Sequence, residues 1–272
     1  QASAEIKGEV GTEVLLEISR QNEPKFEVAI ARAQIELPSV SYTLKQEQDS
    51  KVGYIKLDEF SSHAAEQMEK AIADLSQKEA SGFILDLRGN PGGLLFSSVE
   101  IARMWMEKGA IVSTIDSKGG NEKFSANGRA LTDLPLVVLV DGYSASASEI
   151  LAGALKENQR AKVVGSRTYG KGTVQSVHSL SDGSGLAVTI ARYYPPSGMD
   201  INKKGIAPDI QVNLTREDQT NLSINPDLIA TVADPQYARA VSILRTEGVN
   251  AERLIPEPMT NSQSRSIKSK AN

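Results

Sequence analysis

Two segments near the start of the chain alternate apolar and polar residues. They cover residues 8–20 and 25–32, and residues 21–24 (QNEP) separate them as a turn. A period of two is typical of half-buried β-strands, so we predict a β-hairpin here. Two more strands are predicted at residues 40–44 and 52–57, with polar residues 45–51 between them.

From residue 60 onward the pattern changes to strands that alternate with helices. Apolar residues recur at three- and four-residue steps within residues 62–79, which is typical of an amphipathic helix. Further helices are predicted at residues 94–106 and 146–157, and strands at residues 82–87, 110–115, 134–140 and 162–164. Strands separated by helices of ~10–15 residues favour an α/β core with a mixed, largely parallel sheet.

The last third of the chain is less regular. Residues 173–180 and 186–191 predict a hairpin across the glycine-containing turn at 181–185. Residues 194–208 read as a loop, and a helix is predicted at residues 235–246. Residues 260–272 are polar and basic, so we expect a disordered tail.

Composition excludes several classes of protein. The 272 residues carry a net charge of −4 with both signs interspersed, which does not support nucleic-acid binding. The absence of cysteine excludes disulfides, thiolate nucleophiles and cysteine-based zinc sites. No apolar run approaches the ~20 residues that span a bilayer, and the first residues lack the pattern of a signal peptide.

Three serines, Ser144, Ser146 and Ser148, lie where an apolar strand ends and a helix begins. Serine is a favoured helix N-cap, worth roughly 1 kcal/mol, and capping is the simplest explanation. A hydroxyl at a helix N-terminus is also well placed for catalysis, because backbone N–H groups there stabilise an oxyanion. The sequence alone does not choose among the three.

Lys171 lies between Gly170 and Gly172 beside an apolar strand. An exposed turn lysine is the simplest interpretation, whereas a desolvated lysine serves as a general base. Residues 165–171 also resemble a phosphate-binding loop. That match fails because Gly172 replaces the required Ser or Thr and an alternating strand pattern follows instead of a helix.

A glycine-rich turn at residues 86–93 (DLRGNPGG) follows an apolar strand and precedes a helix. Such turns direct backbone N–H groups towards one point and let a substrate approach closely. Two N–H donors from this turn and the serine turn would together form an oxyanion hole.

These motifs together resemble the C-terminal processing proteases, also called tail-specific proteases. The resemblance covers residues 8–213, through the segments 8–12 (GEVGT), 36–38 (ELP), 86–93, 144–149 (SASASE), 168–175 (TYGKGTVQ) and 205–209 (GIAPD). Residues 234–237 (DPQY) are most similar to cyanobacterial and chloroplast members. The family implies a serine endopeptidase with a ClpP/crotonase-like core and a PDZ domain.

The resemblance implies a role for each motif residue. Ser146 would be the nucleophile, Lys171 the general base and Gln175 the residue that orients the lysine. The N–H groups of Gly92 and Ala147 would form the oxyanion hole. No metal or cofactor is implied.

Two details of this arrangement need a structural answer. The hydroxyl of Thr168 is expected to support the lysine by hydrogen-bonding its amine. On a straight strand Lys171 and Gln175 lie ~13 Å apart, so joint action requires a bend at Gly172.

The resemblance also implies a domain division. Residues 1–36 match only the last strands of a PDZ domain, residues 37–213 form the catalytic core, and residues 214–272 form an extension with one helix and the tail. PDZ domains capture peptide C-termini by strand addition, so we expect catalysis here without regulated tail selection. The implied partner is a protein or peptide with an accessible C-terminus. The implied location is the periplasm or the thylakoid lumen. A homo-oligomer is compatible with the family.

Two other functions remain open at this stage. A crotonase-like acyl-CoA enzyme would share the core and use the glycine turn without pairing Ser146 with Lys171. An inactive peptide-binding module would need neither residue. His63 and His178 are expected to be structural or exposed rather than catalytic.

Overall fold

The computed structural model describes residues 5–33, 37–116 and 118–253, which form two compact units, one up to Pro38 and one from Ser39 onward. In the first unit, β1 (Glu13–Ile18) pairs antiparallel with β2 (Phe26–Ala31). The predicted hairpin is therefore confirmed. Along β1, exposed and half-buried residues alternate, as the sequence pattern indicates.

The second unit contains the other strands and the five helices described below. In chain order these are β3 (Val40–Glu47), β4 (Ser50–Leu57), α1 (Ala64–Gln77), β5 (Gly82–Asp86), α2 (Leu95–Trp105), β6 (Ala110–Asp116), β7 (Asn121–Ser125), β8 (Leu136–Val140), α3 (Ala147–Glu157), β9 (Lys162–Gly165), β10 (Thr173–Ser179), β11 (Gly185–Tyr194), β12 (Ile210–Gln211), α4 (Arg216–Ile224) and α5 (Pro235–Arg253). A short 3₁₀ turn, Pro226–Leu228, joins α4 to the segment before α5.

The main sheet has six strands in the order β12-β9-β8-β5-β4-β3. Its neighbours pair in parallel, except that β3 and β4 are antiparallel. This confirms the predicted α/β class and largely parallel sheet. All five residues of β5 and of β8 are buried, which is typical of parallel strands covered on both faces.

Successive side chains of the central strands point to opposite faces of the main sheet. In β8, Val138 and Val140 belong to the large core that includes residues of α1, α2 and α3. Val137 and Leu139 belong to a second core formed with α5. The C-terminal extension therefore covers the second face of the main sheet.

Three predicted strands of the second unit, β6 and the hairpin β10–β11, lie outside the main sheet. β6 joins a separate antiparallel sheet with the order β10-β11-β6-β7. β7 was not predicted, because its sequence, NEKFS, is polar and only Phe124 is partly buried. As an edge strand, β7 needs little apolar surface and leaves almost no periodic signal.

The extension contains one helix more than the sequence predicts. α4 is polar and buries only Leu222, so it has no amphipathic pattern. Its signal is a capping box, in which Thr215 caps the helix and Asp218 closes the reciprocal bond. The predicted tail at residues 260–272 lies outside the described residues. Within the described ranges, no helix is long and apolar enough to cross a membrane.

A buried ion cluster ties α5 to the glycine-rich turn. Arg88 lies 2.6 Å from Asp86 and 2.8 Å from Asp234, and both carboxylates are buried. Burial alone would raise the pKa of Asp86, but the Arg88 charge and its hydrogen bonds outweigh burial and lower the pKa. Asp234 also accepts the N–H groups of Gln236 and Tyr237, as an N-cap before Pro235 does.

We expect Asp234→Asn to destabilise the second unit by about 3 kcal/mol. Asparagine still caps a helix, so the change removes mainly the buried charge that faces Arg88. Asp227→Asn is the matched control, because Asp227 is exposed and should change stability by less than about 0.5 kcal/mol. Urea unfolding measures both variants, and equal midpoints would show that the cluster adds no stability.

Candidate active site

Three loops meet at one edge of the main sheet. They follow β5, β8 and β9, which are neighbouring parallel strands and so end at the same edge. Hydrogen bonds join the loops: Ala145 N–H donates to the carbonyl of Asn90 at 3.0 Å, and Tyr169 N–H donates to the carbonyl of Ser144 at 3.1 Å. The motifs predicted from the sequence are therefore adjacent in space.

The hydroxyls of two of the three serines are buried and hydrogen-bonded to backbone carbonyls. Ser144 and Ser148 are both completely buried. The Ser144 hydroxyl donates to the carbonyl of Leu87 at 2.8 Å, and the Ser148 hydroxyl donates to the carbonyl of Asn90 at 3.0 Å. Both hold the glycine-rich turn against the serine turn.

Ser146 differs from the other two serines in exposure and conformation. It is partly exposed and immediately precedes α3, where it forms a capping box with Glu149. Its backbone has φ 56° and ψ −116°, a conformation that costs a non-glycine residue about 1–3 kcal/mol. A strained serine between a strand and a helix is the arrangement that exposes a nucleophilic hydroxyl in α/β hydrolases. The structure therefore distinguishes Ser146 as the available hydroxyl.

The carboxylate of Glu149 joins the serine turn to the lysine loop. Its Oε2 accepts the N–H of Ser146 at 2.9 Å and the N–H of Lys171 at 2.8 Å. Its Oε1 accepts the hydroxyl of Thr168 at 2.6 Å and the N–H of Gly170 at 2.7 Å. One side chain thus fixes the backbone at both predicted catalytic residues.

Glu149 is completely buried, yet it forms no ion pair with any described cation. An isolated buried carboxylate is costly unless it is well hydrogen-bonded. Four donors satisfy it, and its place in the first turn of α3 adds the favourable helix dipole. Glu149 therefore holds the serine turn and the lysine loop together.

The side chain of Lys171 is partly buried. Among the described residues its amine forms no hydrogen bond or ion pair, and none joins it to the Ser146 hydroxyl. Its backbone is constrained, because Gly170 has φ +89° and its carbonyl accepts the N–H of Lys203 at 2.7 Å. The lysine loop is therefore fixed while the amine is left without a counter-charge.

Two supporting residues differ from the sequence expectation. The Thr168 hydroxyl donates to Glu149 and accepts the N–H of Ile206 at 2.7 Å, and no hydrogen bond joins it to the lysine amine. Its support for Lys171 is therefore indirect. Gln175 is exposed, and its side chain makes no hydrogen bond within the described residues. The chain turns at Gly170 rather than at Gly172, and a register shift follows at Val174/Gln175.

The two predicted oxyanion donors differ in availability. Ala147 N–H has no acceptor among the described residues. The N–H of Gly92 donates at 2.8 Å to Oδ1 of Asn90, a buried residue that the sequence analysis did not single out. Gly92 has φ +105°, and a Cβ there would lie 2.7 Å from Ser146 Cβ. The turn therefore approaches the serine so closely that only glycine fits.

Tyr193 is a second residue near the site that the sequence analysis did not place there. It is buried in β11, and its hydroxyl donates to the carbonyl of Lys171. Burial first, and then the charge of Glu149, raises its pKa well above the ordinary tyrosine value, and the Ser146 hydroxyl opposes that rise. The phenol is therefore protonated at neutral pH and acts as a hydrogen-bond donor.

We also looked for a catalytic histidine and for a cluster of metal ligands. His63 and His178 are both exposed, and neither hydrogen-bonds Ser146 among the described residues. In the described ranges, no group of three His, Asp or Glu side chains is arranged to hold a metal ion.

The chain belongs to peptidase family S41, whose model matches residues 51–212. It is 46% identical over 251 residues to a carboxyl-terminal-processing protease of Synechocystis sp., covering 92% of this chain and 57% of that protein. Carboxyl-terminal-processing peptidase 3, chloroplastic, of Arabidopsis thaliana is 43% identical over 222 residues, which cover 77% of this chain and 43% of that protein.

Among solved structures, a photosystem II D1 C-terminal processing protease matches with a TM-score of 0.62 at 36% identity, covering 85% of this chain and 63% of that chain. This chain therefore spans less than two thirds of each of these three relatives. The resemblance to cyanobacterial and chloroplast processing proteases is confirmed.

We expect Glu149→Gln to destabilise the second unit by about 3 kcal/mol. The amide keeps one acceptor oxygen but turns an NH₂ group towards two of the four donors, which leaves buried groups unpaired. Glu157→Gln, at the other end of α3, is the control, since that partly exposed carboxylate accepts only from Ser197. Thermal and urea unfolding measure both variants, and a loss no larger than that of Glu157→Gln would contradict the bridging role.

Proposed function

We propose that this chain is the catalytic part of a serine endopeptidase that cleaves protein substrates near their C-termini. Ser146 is the nucleophile and Lys171 the general base. The observation that carries the proposal is the bridge at Glu149 Oε2, which accepts the backbone N–H groups of both residues. Membership of peptidase family S41 supports the same reaction class.

The reaction begins with the uncharged amine of Lys171. The amine takes the proton of the Ser146 hydroxyl while Oγ bonds to the substrate carbonyl carbon. Lys171 then returns that proton to the leaving amine as the peptide bond breaks, and an acyl-enzyme remains. Water, activated by the same amine, hydrolyses the ester and regenerates the hydroxyl.

The oxyanion of each tetrahedral intermediate needs preorganised donors. Ala147 N–H opens α3, so the helix dipole adds to its hydrogen bond. Gly92 N–H would serve as the second donor by sharing its hydrogen with Asn90 or leaving it when the oxyanion forms. Gln175 would orient the lysine amine once substrate orders the start of β10.

The relatives indicate the class of substrate and the compartment. The relatives described above are carboxyl-terminal-processing proteases of a cyanobacterium and of chloroplasts, and one of them is a photosystem II D1 C-terminal processing protease. We propose a protein substrate with an accessible C-terminus and an exported location, in the periplasm or thylakoid lumen. We also propose that residues 1–36 are the end of a PDZ-like domain.

The decisive experiment compares the wild type with Ser146→Ala and Lys171→Ala on an unstructured protein that has an apolar C-terminus. We expect each change to reduce cleavage by at least about a thousandfold, because nucleophile and base act as a unit. Lys204→Ala is the control. Lys204 is an exposed lysine of the adjoining turn, so this variant should cleave the substrate as fast as the wild type.

The outcomes separate the candidate functions. Cleavage by the Ser146→Ala variant would contradict the Ser-Lys peptidase. Turnover of an acyl-CoA by that variant would indicate a crotonase-like enzyme instead. Substrate binding without cleavage by the wild type would identify a peptide-binding module.

We expect Gly92→Ala to lower kcat at least about a hundredfold. Its methyl group would displace Ser146 or the oxyanion turn, and misplacement by about 1 Å costs that much. Gly89→Ala is the matched control in the same turn. Gly89 also has a positive φ, +75°, but a Cβ there meets nothing within 4 Å. Equal kcat values for the two variants would show that the close approach at Gly92 does not matter.

A further inference from the structure

The hydroxyl of Tyr193 reaches the catalytic lysine from a strand of the second sheet. Tyr193 is 2% exposed and lies near the end of β11, where it pairs with Thr114 of β6. Its N–H donates to the carbonyl of Gly172 at 3.1 Å, and its hydroxyl donates to the carbonyl of Lys171. One residue thus holds two consecutive carbonyls of the lysine loop.

At Lys171 itself the lysine loop is anchored through its backbone. Lys171 lies between two glycines, so its neighbours have no side chains that could pack and fix it. Its N–H is held by Glu149 on one side, and its carbonyl is held by Tyr193 on the other. Together these two bonds define the orientation of the Lys171 peptide units, and hence the direction in which the side chain leaves the backbone.

The same hydroxyl is close to the nucleophile. It donates to the Lys171 carbonyl, and the N–H of Lys171 shares Glu149 Oε2 with the N–H of Ser146, so this group lies where the serine turn and the lysine loop meet. Glu149 bridges the backbones of the two catalytic residues on one side of that junction. A donor from β11 on the other side completes the support.

We propose that Tyr193 is a positioning residue of the Ser-Lys pair, acting through the Lys171 carbonyl and beside the Ser146 hydroxyl. The inference rests on the proposed function and extends it to a residue of the second sheet. Loss of the hydroxyl frees the Lys171 peptide unit to rotate, which moves the amine away from Ser146 without altering the substrate-binding surface.

The test compares Tyr193→Phe with Tyr194→Phe. Tyr194 is the matched control, because the neighbouring residue on a strand faces the opposite side and its hydroxyl bonds to no described residue. We expect Tyr193→Phe to lower kcat about tenfold to a hundredfold with KM within about twofold of the wild type. The pH profile of kcat/KM should change in Tyr193→Phe and not in Tyr194→Phe, because only the first change moves the proposed general base.

Amide hydrogen exchange supplies a readout that does not depend on catalysis. Tyr193→Phe should speed exchange at residues 170–172 at least about tenfold, whereas Tyr194→Phe should leave it unchanged. If the wild type does not cleave, the proposed function fails, and hydrogen exchange still decides whether Tyr193 holds this loop.

Three results would overturn the inference. One is unchanged kcat and pH profile in Tyr193→Phe, and another is an equal effect of Tyr194→Phe. The third is a lowered melting temperature with kcat per folded molecule and exchange at residues 170–172 both unchanged, because that pattern describes a purely structural tyrosine.

Discussion

The geometry of this site depends on one buried carboxylate. Glu149 accepts four hydrogen bonds from donors on two different loops, and each carboxylate oxygen accepts two of these bonds. A buried charge tolerates no missing partner, so neither loop can move away without exposing an unpaired carboxylate. The strained conformation of Ser146 persists because the hydrogen bond from its N–H to Glu149 and the first turn of α3 hold the residue from both sides.

The sheet supplies the rest of the arrangement. β5, β8 and β9 are adjacent and parallel, so their following loops meet without any long connection. Packing on both faces keeps these strands rigid, and the face opposite α1, α2 and α3 is covered by α5. Arg88 then links α5 to the glycine-rich turn through Asp234. The C-terminal extension is therefore part of the scaffold that fixes the glycine-rich turn.

The sequence predicted the elements whose burial leaves a periodic pattern. β5, β8 and β9 are apolar runs and α1 is amphipathic, whereas β7 and α4 bury one side chain each and were missed. Ser146 and Lys171 were singled out because the motifs around them are distinctive, and their catalytic roles stay predictions. The bond from Asn90 to Gly92 and the contact of Tyr193 with Lys171 depend on where distant loops meet, and no local pattern carries that information.

A Ser-Lys pair poses an electrostatic problem that this network solves. A carboxylate beside the lysine amine would hold the amine in its charged form and prevent it from accepting a proton. Glu149 is nevertheless the residue that positions Lys171, and it does so through the backbone N–H. Its four acceptor positions are filled by uncharged donors, so it forms no ion pair with the amine among the described residues. The carboxylate therefore fixes the position of the lysine without acting as its counter-ion, which is the condition that a lysine base requires.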